Sequence, residues 1–569
     1  MSRYIKSVLA MAFAFIFCGN IAQAFETDFH GRMQSTYVLR DTNGFQHGFM
    51  DNTSCAQWRN ELKIDLSLFP EYETDHMISI YKFFINYRGA YDAVFDVTDR
   101  WDDVRDKSPA DFEYGKDDIQ FENDLREAFV DIEGVFGSQI TSLRLGRQIV
   151  QWGEADGFNV MNIINPQDNR VMMFFETPDD LATPLWMGRL NHNIGSIGFL
   201  NNVGVELVAT PDIRPHMFSV MDDDMNAPYA FGFRQLKARP LDFIDTRTGQ
   251  FANLGDVLVG AGMLPANPFA GFRGVTTING LEDVAFPVLD QTLAPGINQT
   301  LQWHDNSASS GVEHLEYGGK FTASYGDFIG YLYYFRGYQD DGVMNFSEFF
   351  TKGNLTFDHP KQNYIGASFN MFLAPINAVF RGEGNLVDEV AILDLENCWG
   401  GQGDTVHLYQ DVLGIPEGHG FLNGPENAKG YTMHKVYQGL LGLDIDRFVY
   451  WLNPTTMIKT SWQIYWKHID DWDYDKTWRP FDEEDNYRAT LFVWTDYMNG
   501  KIHPEMFVMY DFENVWMTMM SVKYSRDGKF FTKLTQMSFW GDSDAISPFT
   551  QPVNLINTSE LSIRFGYQW

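Results

Sequence analysis

The sequence predicts an all-β protein, a transmembrane antiparallel β-barrel, and three observations carry that prediction. The chain ends on an amphipathic strand in which Leu561, Ile563, Phe565, Tyr567 and Trp569 share one side and Ser562, Arg564, Gly566 and Gln568 the other. A closed barrel pairs such a last strand with its first, apolar side to lipid and aromatic ring at the interface. Aromatic residues make up 16% of the chain, yet beyond the N-terminus no apolar run approaches the roughly 20 residues of a membrane helix. Apolarity is instead interleaved, in alternating segments of about ten residues separated by tight turns and long polar stretches.

Residues 1–24 read as a cleaved secretory signal. Arg3 and Lys6 form a basic start, residues 8–18 an apolar core too short to span a bilayer, and Ala22-Gln23-Ala24 a small-x-small cleavage site. Phe25 then opens the mature chain, and 25–569 forms one barrel. Lipoprotein processing at Cys18 is disfavoured by the bulky Phe17 before it.

The formal charge of −34 collects in candidate loops such as 96–127 and 472–485, which excludes nucleic acid as a partner. A solvated acidic face explains those loops; divalent bridging to lipopolysaccharide is the rarer reading. No ligand spacing marks a metal site, and no motif implies a cofactor. Cys55 and Cys398 are the cysteines beyond the signal, without a CxxC. In an oxidising periplasm they form one disulfide or stay two thiols, and both alternatives stand.

Strands are expected, in order, at 28–40, 58–69, 78–91, 125–133, 142–150, 185–191 and 203–210. Hairpins follow at 313–325 with 328–338 across Gly326-Asp327, and at 363–373 with 376–386 across Ala374-Pro375. The segment 436–446 leads through Asn453-Pro454 to 456–468, where Trp462, Ile464 and Trp466 oppose Lys459, Gln463 and Lys467. Next, 487–498 turns at Asn499-Gly500 into 502–511, and 515–525 turns at Asp527-Gly528 into 530–540. The segment 557–569 closes the set. That makes about 18 strands, with 16 as the lower count because 185–191 and 203–210 alternate weakly. An even number puts both ends on the periplasmic side, tight turns there and long loops outside. Residues 212–306, rich in Pro, Gly and Asn, are too long for a plain connection and are expected to form an extracellular cap or an inward plug.

The run from Leu125 to Ile132, then Leu143-Arg-Leu-Gly-Arg-Gln-Ile-Val-Gln-Trp-Gly-Glu-Ala-Asp-Gly157, then Ile164-Asn-Pro-Gln-Asp168, resembles a family of bacterial outer-membrane proteins labelled a domain of unknown function. Further pieces are 331–338, Phe380-Arg-Gly-Glu383, 442–444 and Asn453-Pro454. The family is often encoded beside inner-membrane exporters of the resistance-nodulation-division type that resemble lipid transporters. The resemblance implies an outer-membrane location, a barrel fold, a role in moving hydrophobic or amphiphilic molecules and work with an exporter or periplasmic partner. It supplies no catalytic or ligand residues.

The residues themselves add a candidate lumen. An Arg or Lys facing lipid at the midplane costs roughly 2–4 kcal/mol, so charged positions in the wall turn inward. These are Glu127, Asp131, Arg144, Lys320, Arg336, Arg381, Glu383, Lys459, Gln463, Lys467 and Arg564. Arg147 to Trp152 lies where a strand runs into an external loop, with Trp152 read as a girdle residue and Gly153 and Gly157 permitting a bend inward. Glu154, Asp156, Asp168 and Arg170 then belong either to a folded-in constriction or to a cluster anchoring the rim. No nucleophile elbow, zinc-protease or nucleotide motif is present, so no enzyme is expected. The leading expectation is an outer-membrane channel or transport component. The alternatives are a general diffusion porin for small polar solutes and a structural or adhesive surface protein. Expected partners are outer-membrane lipid and lipopolysaccharide, and the barrel assembly machinery through residues 561–569.

Overall fold

The computed structural model describes residues 25–41, 53–70, 78–97, 113–114, 120–136, 139–155, 158, 160–168, 178–219, 244–245, 250–251, 302–306, 308–345, 354–393, 429, 431–472, 483–542 and 559–569. The signal segment, Cys398, Asp156, Arg170 and most of 212–306 lie outside the described residues.

Alternating sequence gives strands, and 18 of them make one antiparallel sheet. They are β1 (Phe25–Asp41), β2 (Thr53–Pro70), β3 (Ile78–Asp92), β4 (Phe121–Phe136), β5 (Gln139–Gln148) and β6 (Leu185–Ile197). Then come β7 (Leu200–Thr210), β8 (Glu316–Tyr325), β9 (Phe328–Tyr338), β10 (Lys361–Leu373), β11 (Ala378–Leu393) and β12 (Tyr431–Arg447). The last are β13 (Ile458–Ile469), β14 (Asp485–Trp494), β15 (Ile502–Asp511), β16 (Val515–Ser525), β17 (Phe530–Gly541) and β18 (Ser559–Gln568). All the expected strands are present, including the two weak ones.

Each strand pairs with the next, and β18 returns to β1 from Arg32 opposite Gln568 to Asp41 opposite Ser559. Beyond it, the Gly31 and Trp569 N–H groups donate to each other's carbonyls at 3.1 and 3.0 Å. The wall is closed and leaves no edge, which is what a membrane demands of a sheet. A Cβ at Gly31 would fall 2.2 Å from the Trp569 ring, so this residue must stay small for the terminal indole to seat.

The ladder's outer face is apolar: Met33, Leu332, Trp462 and Phe565 are each at least half exposed. Their alternates Gln34, Tyr333, Gln463 and Ser562 are buried inside. This is a transmembrane barrel of the outer-membrane kind. The connections keep the long-and-short rhythm. Residues 198–199 and 326–327 suffice at the end where β1 begins and β18 finishes, whereas at the other end β6 resumes only at Leu185 after Gln148 and β12 only at Tyr431 after Leu393. One connection breaks the rhythm: β15 and β16 meet at the long-loop end across only 512–514.

Turn chemistry follows the residues. Asn499 and Gly500 have φ of 58° and 78°, the consecutive left-handed pair an Asn-Gly hairpin needs. The Asp527 carboxylate accepts from the N–H groups of Lys529 and Phe530, both at 3.0 Å. Asn453, fully buried, organises the turn between β12 and β13. Its amide donates to Thr456 Oγ1, Thr495 Oγ1 and the Asp496 carbonyl at 2.7 to 2.9 Å. Its oxygen accepts from the N–H groups of Thr455 and Thr456. Asn453→Ala strands several buried groups at about 1–3 kcal/mol each. Urea unfolding in vesicles is expected to show roughly 2–3 kcal/mol of lost stability, and a change below ~0.5 kcal/mol overturns this assignment.

Candidate functional site: the lumen

Where β5 ends, the chain does not leave the barrel. Residues 149–155, 158, 160–168 and 178–184 lie within the lumen. Asn165 makes the turn: its oxygen accepts from the Val150 N–H at 2.7 Å, and its amide donates to the carbonyls of Gln148 and Thr183 at 3.2 and 2.9 Å. This accounts for the Asn in the Ile164-Asn-Pro run. Gly153 is required by close approach, since a Cβ there would lie 3.0 Å from Glu383 Oε1 and 3.1 Å from Asn162.

The inserted segment is anchored on the far wall by β11. Glu383 accepts from the backbone N–H of Glu154 at 2.5 Å and of Met161 at 2.7 Å. The Arg381 guanidinium donates to the Glu154 carbonyl, and at 2.9 Å to Ser461 Oγ. Asn385 donates to the Val160 carbonyl. Around these bonds the segment is apolar. The Phe158 ring stacks on Tyr465 at 4.7 Å, and Trp152 packs against Tyr333 at 5.8 Å. Val160 and Met161 are fully buried. They join an inner apolar arc of Phe335, Leu440, Met509, Met517, Met537 and Phe539.

The opposite wall, β1 to β8, carries a dense set of ion pairs, although Leu185, Met187 and Val208 of β6 and β7 join the apolar cluster. Glu206 is central there. It accepts from the Trp152 indole at 2.7 Å and holds Arg189 through two bonds of 2.9 Å. Lys320 Nζ lies 3.4 Å away. Higher up, Arg59 and Arg88 share Glu122. A short helix, α1 (Pro178–Leu181), brings the inserted segment back against this wall. Arg126 donates to the Ala182 carbonyl at 2.6 Å, and Asp180 pairs with Lys63. Burial alone would raise the Asp180 carboxyl, but Lys63, with Arg32 and Arg88, holds it down at about 2. Beside it, at the end carrying the termini, a cavity of about 600 Å³ opens among Arg32, Lys63, Asp65, Asn86 and Asp180.

Most of the sequence-expected lumen residues stand inside. Asp131 holds Arg144 at 2.7 and 3.0 Å, with the guanidinium 3.8 Å over the Phe129 ring. Glu127 accepts from the Ile149 N–H at 3.2 Å, and Arg147 reaches Asp124 at 3.1 Å. Asp168 is 3.5 Å from Arg88, and Arg564 donates to Thr36 Oγ1 at 3.0 Å. Gln463 is buried beside Ser461, and Lys459 and Lys467 share its inward register.

Arg336 is a correction. It shares the outward register of Leu332 and Tyr334, while Tyr333 and Phe335 point in. Both faces of β9 are aromatic, so alternation cannot choose between them; packing against the inserted segment does. Arg336 lies near the long-loop end, where its stem can reach the interface. Trp152 is the second correction, a lumen residue only 2% exposed and not a girdle residue. The third is the expectation of a polar interior, because the apolar arc occupies much of it. Its sequence signal was present in β16, where Val515, Met517 and Met519 alternate with Trp516 and Met520 and leave neither face polar. Outside the lumen, ligand atoms of His468, Glu484 and Asp485 lie within 4.8 Å of one another.

Comparisons with known proteins add three findings. In overall fold the chain is similar to OccAB3 of Acinetobacter baumannii, at 8% identity over 96% of this chain and 99% of that one, with a TM-score of 0.41. It is also similar to OccK2 (OpdF) of Pseudomonas aeruginosa in complex with glucuronate, at 8% identity over 95% and 98%, with a TM-score of 0.41. No curated protein sequence matches the chain. Residues 8–207, which contain the Gly-Arg-Gln-x-x-x-Trp-Gly motif and the whole inserted segment, match the model of the family described as "Protein of unknown function (DUF1302)".

Proposed function

We propose that this outer-membrane barrel carries amphiphilic molecules, each with an apolar body and an acidic head. The observation behind this reading is a lumen that holds a large buried apolar cluster beside a wall dense in ion pairs. A water-filled diffusion pore has no use for Phe335, Met517, Met537 and Phe539 buried in its interior. An apolar body would slide between that arc and the inserted segment. Its head would follow the basic groups toward the end holding the termini. There Lys523 lies within electrostatic reach of Lys533, Arg32 and Arg564, and Lys533 also pairs with Glu505 at 2.5 Å.

A general porin is the second reading, favoured by the polar 600 Å³ cavity. One experiment separates them. Met517→Gln with Met537→Gln keeps side-chain volume and removes apolar contact worth about 1–3 kcal/mol. Uptake of a fluorescent fatty acid into vesicles carrying the barrel is expected to fall roughly tenfold, about 1.4 kcal/mol. Conductance of chloride and sodium through the same variant stays near that of the parent. Equal losses of both, or no loss of either, refute the amphiphile reading.

A further inference from the structure

The outer surface of the barrel is not evenly covered. Between β9 and β13 the outward positions lie in register across the strands. One row runs Leu332, Ala367, Gly384, Gly439, Trp466, each directly opposite the next. Its middle three members carry a methyl group or less. In the neighbouring row Gly382 lies between Phe369 and Leu441. The result is a trough of about 840 Å³ whose floor is backbone and whose sides are rings and branched chains. Strand spacing makes the distance from Leu332 to Trp466 roughly 19 Å. The trough lies partway along spanning strands, on the face the fold commits to hydrocarbon.

We infer that this trough is a binding site for a membrane lipid, held by one acyl chain. Its surroundings decide the occupant. At this depth water is excluded, and the alternative to a filled trough is a void against apolar walls. The lining is almost wholly apolar, and none of the outward floor residues carries a polar side chain for a peptide or a sugar to address. A flexible chain fits a concave trough bounded by Phe369 on one side and Trp466 on the other. A flat protein surface does not. The inner side of the same β11 stretch holds the inserted segment through Arg381 and Glu383. Gly382 and Gly384 thus alternate with the anchoring residues, and the Phe380-Arg-Gly-Glu-Gly384 run serves both faces of a wall one strand thick.

The test uses the whole barrel in vesicles containing a phosphatidylethanolamine with a diazirine midway along one acyl chain. After illumination, adducts are mapped by peptide mass spectrometry. Labelling of β10 to β13 peptides is expected to exceed that of outward peptides in β1 to β3 at least fivefold. Gly439→Leu with Gly384→Leu fills the trough: a Cβ at Gly439 meets the Trp466 ring at 3.6 Å, and one at Gly384 meets the Gln438 carbonyl at 3.3 Å. This variant is expected to lose the enrichment, whereas Gly439→Ala keeps it. Retained heat-modifiable migration of both variants establishes that each still forms a barrel. Uniform labelling around the wall overturns the site, as does enrichment that survives the leucine pair. Labelling of β10 to β13 peptides below that of β1 to β3 means that something other than lipid covers the trough and overturns it equally.

Discussion

Glu383→Ala is expected to widen a lumen that the inserted segment narrows. The carboxylate holds two backbone N–H groups of the inserted segment, at Glu154 and Met161. Hydrogen bonds to a charged acceptor contribute about 1.5–3 kcal/mol each. Removing both strands two inward N–H groups, and a net loss of about 3 kcal/mol changes the ratio of seated to unseated segment by more than 100-fold. Single-channel recordings in planar bilayers should then show a several-fold larger conductance with longer open dwell times. Selectivity moves toward anions, because a lumen carboxylate is lost while Arg381 remains. Arg381→Ala should move it toward cations, because the carboxylates of Glu383 and Asp444 lose their guanidinium partner. Glu383→Gln keeps one acceptor and should fall between parent and Ala. If conductance and reversal potential are unchanged in all three variants, the segment is not held from β11.

The architecture was legible in the sequence for a specific reason: lipid and lumen impose opposite demands on successive residues. β2 reads Leu62, Ile64, Leu66 against Lys63, Asp65, Ser67, and no other fold asks for that over so many strands. Turn residues sharpened it, since Asn499-Gly500 and Asp527-Gly528 fix where strands reverse. The lumen was only half legible. Alternation identifies an inner face by its charge, so β4 and β5 were readable through Asp131 and Arg144. It has no power where both faces are apolar. In β9 and β16 the inner residues are Tyr333, Phe335, Met517 and Met519, and they pack in the cluster that the inserted segment joins. The seat of that segment depends on Glu383 and Asn385, which come from more than 200 positions further along the chain and carry no local pattern.

The seam between the first and last strands should be the most sensitive place to destabilise the barrel. Arg40 and Glu560 sit directly opposite each other in the β1–β18 register, 2.7 Å apart, and both are about 3% exposed. A buried pair need not stabilise a fold relative to apolar neighbours of the same size, but removing one partner takes a charged contact away from a buried group, at about 3–5 kcal/mol. Glu560→Ala or Arg40→Ala is therefore expected to cost that much in urea unfolding followed by tryptophan fluorescence in vesicles. Arg40→Ala with Glu560→Ala should recover more than half of the loss, because both charges of the contact are then gone. The half-exposed pair of His503 and Asp496, at 2.9 Å, supplies the contrast: its loss should cost less than about 1 kcal/mol. A double variant as damaged as the sum of its singles would mean that the two groups do not compensate each other. The seam would then rest on its backbone ladder and on the Gly31–Trp569 clasp alone. If the pair behaves as expected, closure of the wall depends on a charge contact that forms only when residues 520 positions apart in the chain have met.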